Sequence, residues 1–384
     1  MADNKLKARR RTFTLVGKVK LPTDGIDTPE YNQKGTWYGI RTSFGVETGE
    51  GNVVHVTLQG GRSTANGFLY VFSKDGKSLK VPIADRAKEE VLSKVSDLSF
   101  LKVRLGQDKG YKTIDMIDYV DFLRNNLEDG MEVVVKGTVE YSESVNNGET
   151  RVYRNLMVNN IFANVKVEDG YKYPPRAELT QSYIITDTSL PKGFAKELEK
   201  EGKTTVSVLV PQYLSSVKNK KGEYVDYKHT VGLPQSIVFY VNPKDEEKLE
   251  KAKRMIEGLF KVKRNQVIER DLIVGIREGY EKIEGEITIS KEAQALIDEG
   301  IMTEEDMLMA PTISSTRVSE LVFKKLQLIK NESTGEAVPK LENYTMESLI
   351  RPVVDDEEED QWSFEEGEDS DWIDTLDIED ELPF

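Results

Sequence analysis

Two strand-rich stretches of this 384-residue chain follow the same plan in the same order. In the first, a strand ending Val81-Pro82-Ile83 leads into ADRAKEEV and then Phe100-Leu101-Lys102-Val103-Arg104. In the second, Val241-Asn242-Pro243 leads into KDEEKLEKAKRM and then Leu259-Phe260-Lys261-Val262-Lys263. Each stretch closes on a similar strand, RNLMVNNIFANV at Arg154–Val165 and SELVFKKLQLI at Ser319–Ile329. A chain built this way is expected to hold two copies of one small all-β module, each with a helical insertion, which agrees with a length of roughly 150 residues per domain.

The strands are read from period-2 alternation. Thr12–Leu21 places Phe13, Leu15, Gly17, Val19 and Leu21 on one side and threonines and lysines mostly on the other. Further strands are expected at Thr36–Val46, Asn52–Gln59, Phe68–Phe72, Leu79–Ile83, Phe100–Leu105, Met131–Tyr141 and Arg151–Val165. Helices are expected at Ala84–Leu98 and Ile114–Leu127, where apolar residues recur at helical spacing. Tyr171–Arg176 (YKYPPR) reads as a linker, because consecutive prolines hold the backbone extended. The second unit should contain strands at Leu179–Thr186, Thr204–Val210, Tyr227–Leu233, Ser236–Val241, Asp271–Ile276, Ile283–Ile289 and Val318–Ile329, with a charged helix at Lys244–Leu259.

Charge is distributed unevenly. The formal net charge is -15, from 68 acids and 53 bases, but residues 355–384 hold 16 of the acids and no Lys or Arg. The remainder is close to neutral, and the acidity belongs to a tail that cannot bury enough apolar surface to offset its conformational entropy and should be disordered when unbound. Cysteine is absent, which excludes disulfides, thiolate zinc sites, Fe–S clusters and a Cys nucleophile, and only His55 and His229 are available for imidazole chemistry. No cofactor and no metal is expected. No apolar run reaches the length of a membrane span, and the basic start Lys5, Lys7, Arg9, Arg10, Arg11 is not followed by a signal-peptide core, so a cytoplasmic protein without membrane contact is expected.

Non-specific binding of single-stranded nucleic acid needs a cationic groove for the backbone and aromatic faces for the bases. Trp37, Tyr38, Arg41 and Phe44 share one predicted strand, and Arg62 lies just beyond the next. Tyr70, Phe72 and Lys74 lie on another, and Lys136, Tyr141, Arg151, Tyr153 and Arg154 surround a hairpin. In the second unit Tyr213, Lys218, Lys220, Lys221, Tyr224, Tyr227 and Lys228 crowd one stretch. The basic arm is either a solvated terminus or a phosphate clamp. The tail finishes Asp380-Glu381-Leu382-Pro383-Phe384, a short apolar tip behind a run of acids, suited to a partner pocket that is apolar at its base and rimmed with Arg or Lys.

The ending resembles the C-terminal tip of bacterial and phage single-stranded DNA-binding proteins, the SSB family. FTLVGKVKLPTDG is similar to that family's first strand, and Glu128–Val165, with Gly130, Val133, Val135 and Gly137, is similar to its last two OB-fold strands. The resemblance covers roughly Thr12–Leu58, Glu128–Val165 and the last few residues, and the whole looks like a large bacteriophage version. It implies a mainly β fold of tandem OB-like five-stranded barrels with helical insertions and a disordered acidic C-terminal tail. The divisions would be a basic arm 1–11, a first OB-like domain 12–170 with an insertion at about 74–127, a second 177–330, a linker 331–354 and the tail 355–384. It also implies single-stranded DNA as partner, a non-enzymatic role in replication, recombination and repair, and recruitment of proteins of those processes by the tip. Base-stacking aromatics would be sought at Trp37, Tyr38, Phe44, Tyr70 and Tyr153. The long Gly/Pro/Gln-rich linker of the family is missing, and because two modules in one chain could replace a dimer, a monomer or a homodimer is expected in place of its usual tetramer.

Three other readings compete. Asp115, Asp118 and Asp121, spaced by three, could hold a metal ion for a nuclease acting on single strands, or form a solvated helix face whose acids suit the dipole. Ser290 and Thr303 could cap the two helices of a helix-turn-helix around Gly300, although Glu304-Glu305-Asp306 would repel phosphates there. Finally, the β-modules could bind protein, with the acidic tail of an interaction scaffold as the functional element.

Overall fold

A computed structural model of the chain describes residues 5–27, 30–31, 37–63, 65, 67–96, 100–105, 111–146, 149–167, 170–218, 224–280, 317–330, 337–339 and 341–352. The strand expected at 283–289, the helix-turn-helix candidate and the acidic tail lie outside the described residues.

The first unit contains β1 (Thr12–Lys20), β2 (Trp37–Gly49), β3 (Asn52–Ser63), a hairpin of β4 (Phe68–Phe72) and β5 (Ser78–Pro82), β6 (Leu101–Arg104), β7 (Lys112–Ile114), α1 (Met116–Asn126), β8 (Glu132–Asn146) and β9 (Glu149–Ala163). β1 pairs β2, β2 pairs β3, β3 runs parallel to β9, β9 pairs β8, and β8 returns to β1. This closed ring of five strands is the OB barrel order, with α1 between the third and fourth barrel strands. The second unit contains β10 (Arg176–Ile185), α2 (Phe194–Glu201), β11 (Lys203–Lys218), β12 (Tyr224–Tyr240), α3 (Glu246–Phe260), β13 (Gln266–Tyr280), β14 (Arg317–Leu326) and β15 (Leu341–Thr345). The ring β10–β11–β12–β14–β13 closes in the same order, again with its third and fifth strands parallel. The fold is mainly β, two OB-like five-stranded barrels in tandem.

The barrels meet through their first strands. Thr12–Val16 of β1 pairs antiparallel with Arg176–Thr180 of β10, while the later part of β1, Lys18–Lys20, turns to β2 and closes its own barrel. One continuous apolar cluster therefore runs from Phe13, Val46 and Val56 to Leu179, Ile237 and Phe260. Polar groups lock the same seam. The Tyr141 hydroxyl donates to Gln181 Oε1 at 2.9 Å, Arg154 pairs with Glu278 at 2.6 Å, and Asn52 donates to the Ile276 carbonyl and accepts from the Glu278 N–H. Close approach also demands small residues: a Cβ on Gly279 would lie 2.1 Å from the Gly51 carbonyl oxygen, and one on Gly137 would lie 1.9 Å from that of Met157.

Three local expectations are corrected. The helix expected over Ala84–Leu98 is a 3-10 turn at Ile83–Asp85 and a single helical turn at Glu89–Leu92. Arg86 folds back to donate to the Ile83 carbonyl and to Asp118, Lys88 is extended, and Val95 bridges to Ser73, so the segment is drawn onto α1 and the hairpin. The strands expected at Tyr227–Leu233 and Ser236–Val241 are one, because the β11–β12 ladder continues through Pro234, opposite Leu209. A helix that the alternation did not announce, α2, buries Leu198 against the second barrel.

The basic arm is a structural strap. Leu6 is buried with Ile184, Val267 and Tyr344 on the second barrel. Arg9 pairs with Glu269 at 3.0 Å and with Glu342, two acids that face each other across β13 and β15 and would otherwise repel. The Tyr344 hydroxyl also donates to Glu269, which is 1% exposed. Arg11 donates to the Pro211 carbonyl and lies over the Tyr141 ring. Arg9 and Arg11 are thus held within the fold and are not free for phosphate.

Two stability changes follow. Arg9→Ala removes the cation that Arg9 places between the buried Glu269 and Glu342 and is expected to lower unfolding stability by about 1–3 kcal/mol in urea titration, with Glu269→Gln in the same chain recovering part of the loss. Gly137→Ala forces a Cβ into backbone and is expected to cost about 1–3 kcal/mol by the same measurement.

Candidate nucleic-acid interface

The β4–β5 hairpin stands off the first barrel and alternates cleanly. Leu69, Val71, Leu79 and Val81 turn inward onto Val91, Leu92, Val95 and Phe100, a small core of their own. Phe68 and Tyr70 turn outward, and Lys80, directly opposite Tyr70, places Nζ 4.4 Å from the Phe68 ring centroid and 6.0 Å from that of Tyr70. Tyr70 is 65% exposed. The turn is tied by Ser73 Oγ, which donates to the Lys77 carbonyl, and by Gly76 at φ +82°, and it carries the exposed Lys74 and Lys77. Phe72 is half-buried, opposite Ser78.

A second patch forms where β6, β8, β9 and the inter-unit connection meet. Phe162 contacts Tyr111 and Tyr173 edge-on at 6.0 and 6.2 Å between centroids. Arg104 lies 4.8 Å from the Tyr111 ring and 5.8 Å from Phe162, Lys136 lies 5.7 Å from Phe162, and Lys172 lies 5.5 Å from Tyr173. Asn164 exchanges hydrogen bonds with the Tyr173 N–H and carbonyl, which pins the connection there. Sequence reasoning singled out Lys136 alone of this group. The alternation of aromatic and basic residues in RLGQDKGYK and KVEDGYKYPP was the available signal, but their meeting on Phe162 depends on the fold.

The other expected residues divide. Arg41 is exposed opposite Gln59, and Arg151 and the half-exposed Tyr153 lie on β9 opposite Ser144 and Ser142. Phe44 and Tyr141 are buried, in the barrel core and at the inter-barrel seam, and present no face to a base. Tyr38 is half-buried with Arg62 over its ring at 5.3 Å, and Arg62 is itself paired with Asp115 at 3.0 Å. Arg154 is held by Glu278. The Trp37 backbone lies in β2, while its side chain, together with Lys220, Lys221 and Asp380 to Phe384, lies outside the described residues. In the second unit Tyr213 is half-buried, and Tyr227 donates to the Pro352 carbonyl with its ring edge-on to His229 at 5.1 Å. Lys228, in the left-handed region at φ 50°, pairs with Asp226.

The acidic triad does not form a metal centre. Asp115 is the N-cap of α1 and accepts from the Ile117 and Asp118 N–H groups. Its other oxygen lies 3.0 Å from Arg62 and 2.8 Å from Arg86. Burial, and then the Asp118 carboxylate, push the Asp115 carboxyl above the usual carboxylate range against the opposing pull of its hydrogen bonds and Arg62. Asp118 is taken by Arg86, and Asp121 points to Arg124 at 3.9 Å. Among the described residues no three acidic or histidine side chains are grouped to hold a metal ion, and no helix is long and apolar enough to cross a membrane.

The profile of a family described as YorF matches residues 104–253. No curated protein matches the chain. Among solved structures, the chain is similar to a deletion mutant of the single-stranded DNA binding protein from Thermus aquaticus, at 13% identity and a TM-score of 0.29, covering 71% of this chain and 88% of that one. It is also similar to the wild-type Thermus aquaticus protein, at 11% identity and a TM-score of 0.26, covering 71% and 87%. Likeness at that level assigns no residue of this chain a role.

Asp115→Ala removes a helix cap and strands two arginines, and is expected to lower stability by about 1–3 kcal/mol in urea titration. A magnesium-dependent cleavage of single strands that disappears when Asp115, Asp118 and Asp121 are all replaced by Asn would instead reinstate the nuclease reading.

Proposed function

We propose that the protein binds single-stranded DNA without catalysing a reaction on it, through exposed aromatic rings each accompanied by a cation. The observation that carries this reading is the company those rings keep. Of the seven exposed Phe and Tyr side chains among the described residues, at least five have a Lys or Arg within about 6 Å of the ring: Phe68 and Tyr70 beside Lys80, Tyr111 beside Arg104, Tyr171 beside Lys166, and Tyr240 beside Lys203 and Arg277. Tyr153 and Tyr224 complete the set. A ring face beside a cation offers both things a single strand presents, an unpaired base to stack and a phosphate to neutralise. Such contacts tolerate any base sequence, because every base has a π face.

Coverage of transiently exposed strands in replication, recombination and repair is the role that suits this chemistry. The residues 355–384 act in two ways on this reading. Leu382, Pro383 and Phe384, behind Asp380 and Glu381, dock a partner protein of those processes, and the 16 acids compete with DNA for the body's cations when no strand is bound.

Titration of a fluorescent single-stranded oligonucleotide against salt tests the reading. The logarithm of the binding constant should fall against log salt with a slope near -0.7 per phosphate contact. Tyr70→Ala is expected to cost about 1–3 kcal/mol of affinity with little change in slope, whereas Lys80→Ala should reduce the slope by about 0.7. Deleting 355–384 should raise affinity, most at low salt. Binding that shows no salt slope, or that prefers duplex, would overturn the reading.

A further inference from the structure

A cleft of about 620 Å³ lies over the seam between the barrels. One wall comes from the β2–β3 turn of the first barrel, with Thr48 and Asn52, and the other from the second barrel, with Arg176, Tyr240, Arg277 and Lys324. Tyr240, at the end of β12, is 46% exposed and flanked by two cations, Lys203 Nζ at 5.4 Å and Arg277 Cζ at 5.6 Å from its ring centroid. All three groups converge on one carboxylate. Lys203 pairs with Glu320 at 2.6 Å, Arg277 with the same side chain at 3.3 Å, and the Tyr240 hydroxyl donates to it at 2.6 Å. Burial by itself would raise the Glu320 carboxyl, but the hydrogen bonds from Lys203 and Tyr240 hold it below the usual carboxylate range.

Cations exceed anions here. Arg176, Arg277 and Lys324 line the cleft with Glu178, Lys203 and Glu320 adjoin it through their contacts with Tyr240 and Arg277, and the Arg176 Nε is buried without a hydrogen-bond partner, 3.7 Å from Glu178. Outside the tail the chain is nearly neutral, so this excess is local. A carboxylate bound between a lysine and an arginine beside an exposed ring occupies the place a phosphate would take, with an aromatic face ready for the adjoining base.

We propose that the inter-barrel cleft is a nucleotide subsite for a single strand crossing from one barrel to the other, with Tyr240 stacking a base and Arg277, Lys203 and Arg176 taking the phosphate that displaces Glu320. This rests on the preceding reading and deepens it. Glu320 holds the cations in place when the cleft is empty and opposes the phosphate when a strand arrives, so it tunes affinity at this position.

The test uses the full chain and a single-stranded DNA oligonucleotide long enough to span both barrels, in salt titrations and in photocrosslinking with iodouracil-substituted strands. Tyr240→Ala is expected to weaken binding about 5- to 150-fold, and Tyr240→Phe, which keeps the ring and loses the bond to Glu320, should bind at least as well as the parent. Arg277→Gln should reduce the salt slope by about 0.7. Glu320→Gln should tighten binding, and crosslinks should fall on the peptide containing Tyr240. Urea unfolding of each variant separates lost binding from lost folding. If the parent binds single strands while folded Tyr240→Ala and Arg277→Gln keep its affinity and slope, the cleft proposal falls and the preceding reading stands. If the parent binds no single strand, both fall.

Discussion

The pairing of Thr12–Val16 with Arg176–Thr180 is the interaction on which the rest of the molecule depends. A strand has two hydrogen-bonding edges, and β1 needs one for β8 along its length. The other edge is divided, its first part given to the second barrel and its last three residues to β2. β1 can serve both only by turning away from β10 near Gly17, where a Cβ would stand 2.0 Å from the Glu47 carbonyl oxygen. The same division joins the two apolar interiors into one cluster, brings Tyr141 onto Gln181 and Arg154 onto Glu278, and leaves the cleft above the seam.

Charge is organised by the same geometry. Several of the body's arginines are consumed by long-range partners: Arg9 by Glu269 and Glu342, Arg62 and Arg86 by Asp115, Arg154 by Glu278. These contacts hold elements together, and partly buried pairs of this kind are costly to break from one side. Other cations lie against aromatic rings, among them Lys80, Arg104, Lys136 and Lys166. The Tyr240 knot combines both conditions, since its lysine and arginine touch a ring and a carboxylate together.

Strand positions were largely legible because alternation is a local property: Phe68–Phe72 was read with the bounds it has, and α1 and α3 were displaced by only a residue or two at each end. Errors arose where a distant contact overrides the local pattern. Arg86 is drawn to Asp118 and breaks a periodic helix, and the long β11–β12 ladder carries a strand through Pro234. The site was less legible than the fold. Phe44 and Tyr141 carry the residue type of a stacking platform, yet their positions in β2 and β8 face the interior, and a one-residue shift in a strand decides which face a ring takes. The basic arm offered a solvated terminus or a phosphate clamp, and the strap that Arg9 and Arg11 form was not legible because Glu269 and Pro211 lie 260 and 200 residues away in sequence.

Hydrophobic alternation, the repeated plan and the segregation of 16 acids into 355–384 follow from covalent order alone, and they suffice for two similar β modules and a polyanionic segment. Which cations are free, which rings are exposed, and that Arg104, Lys136 and Phe162 or Lys203, Arg277 and Tyr240 stand together were decided by tertiary structure. The physical reason is range. Side-chain periodicity is set by neighbours two to four positions apart, whereas the pairing of charges and the burial of a ring are set by strands that closure of the barrels brings together from distant parts of the chain.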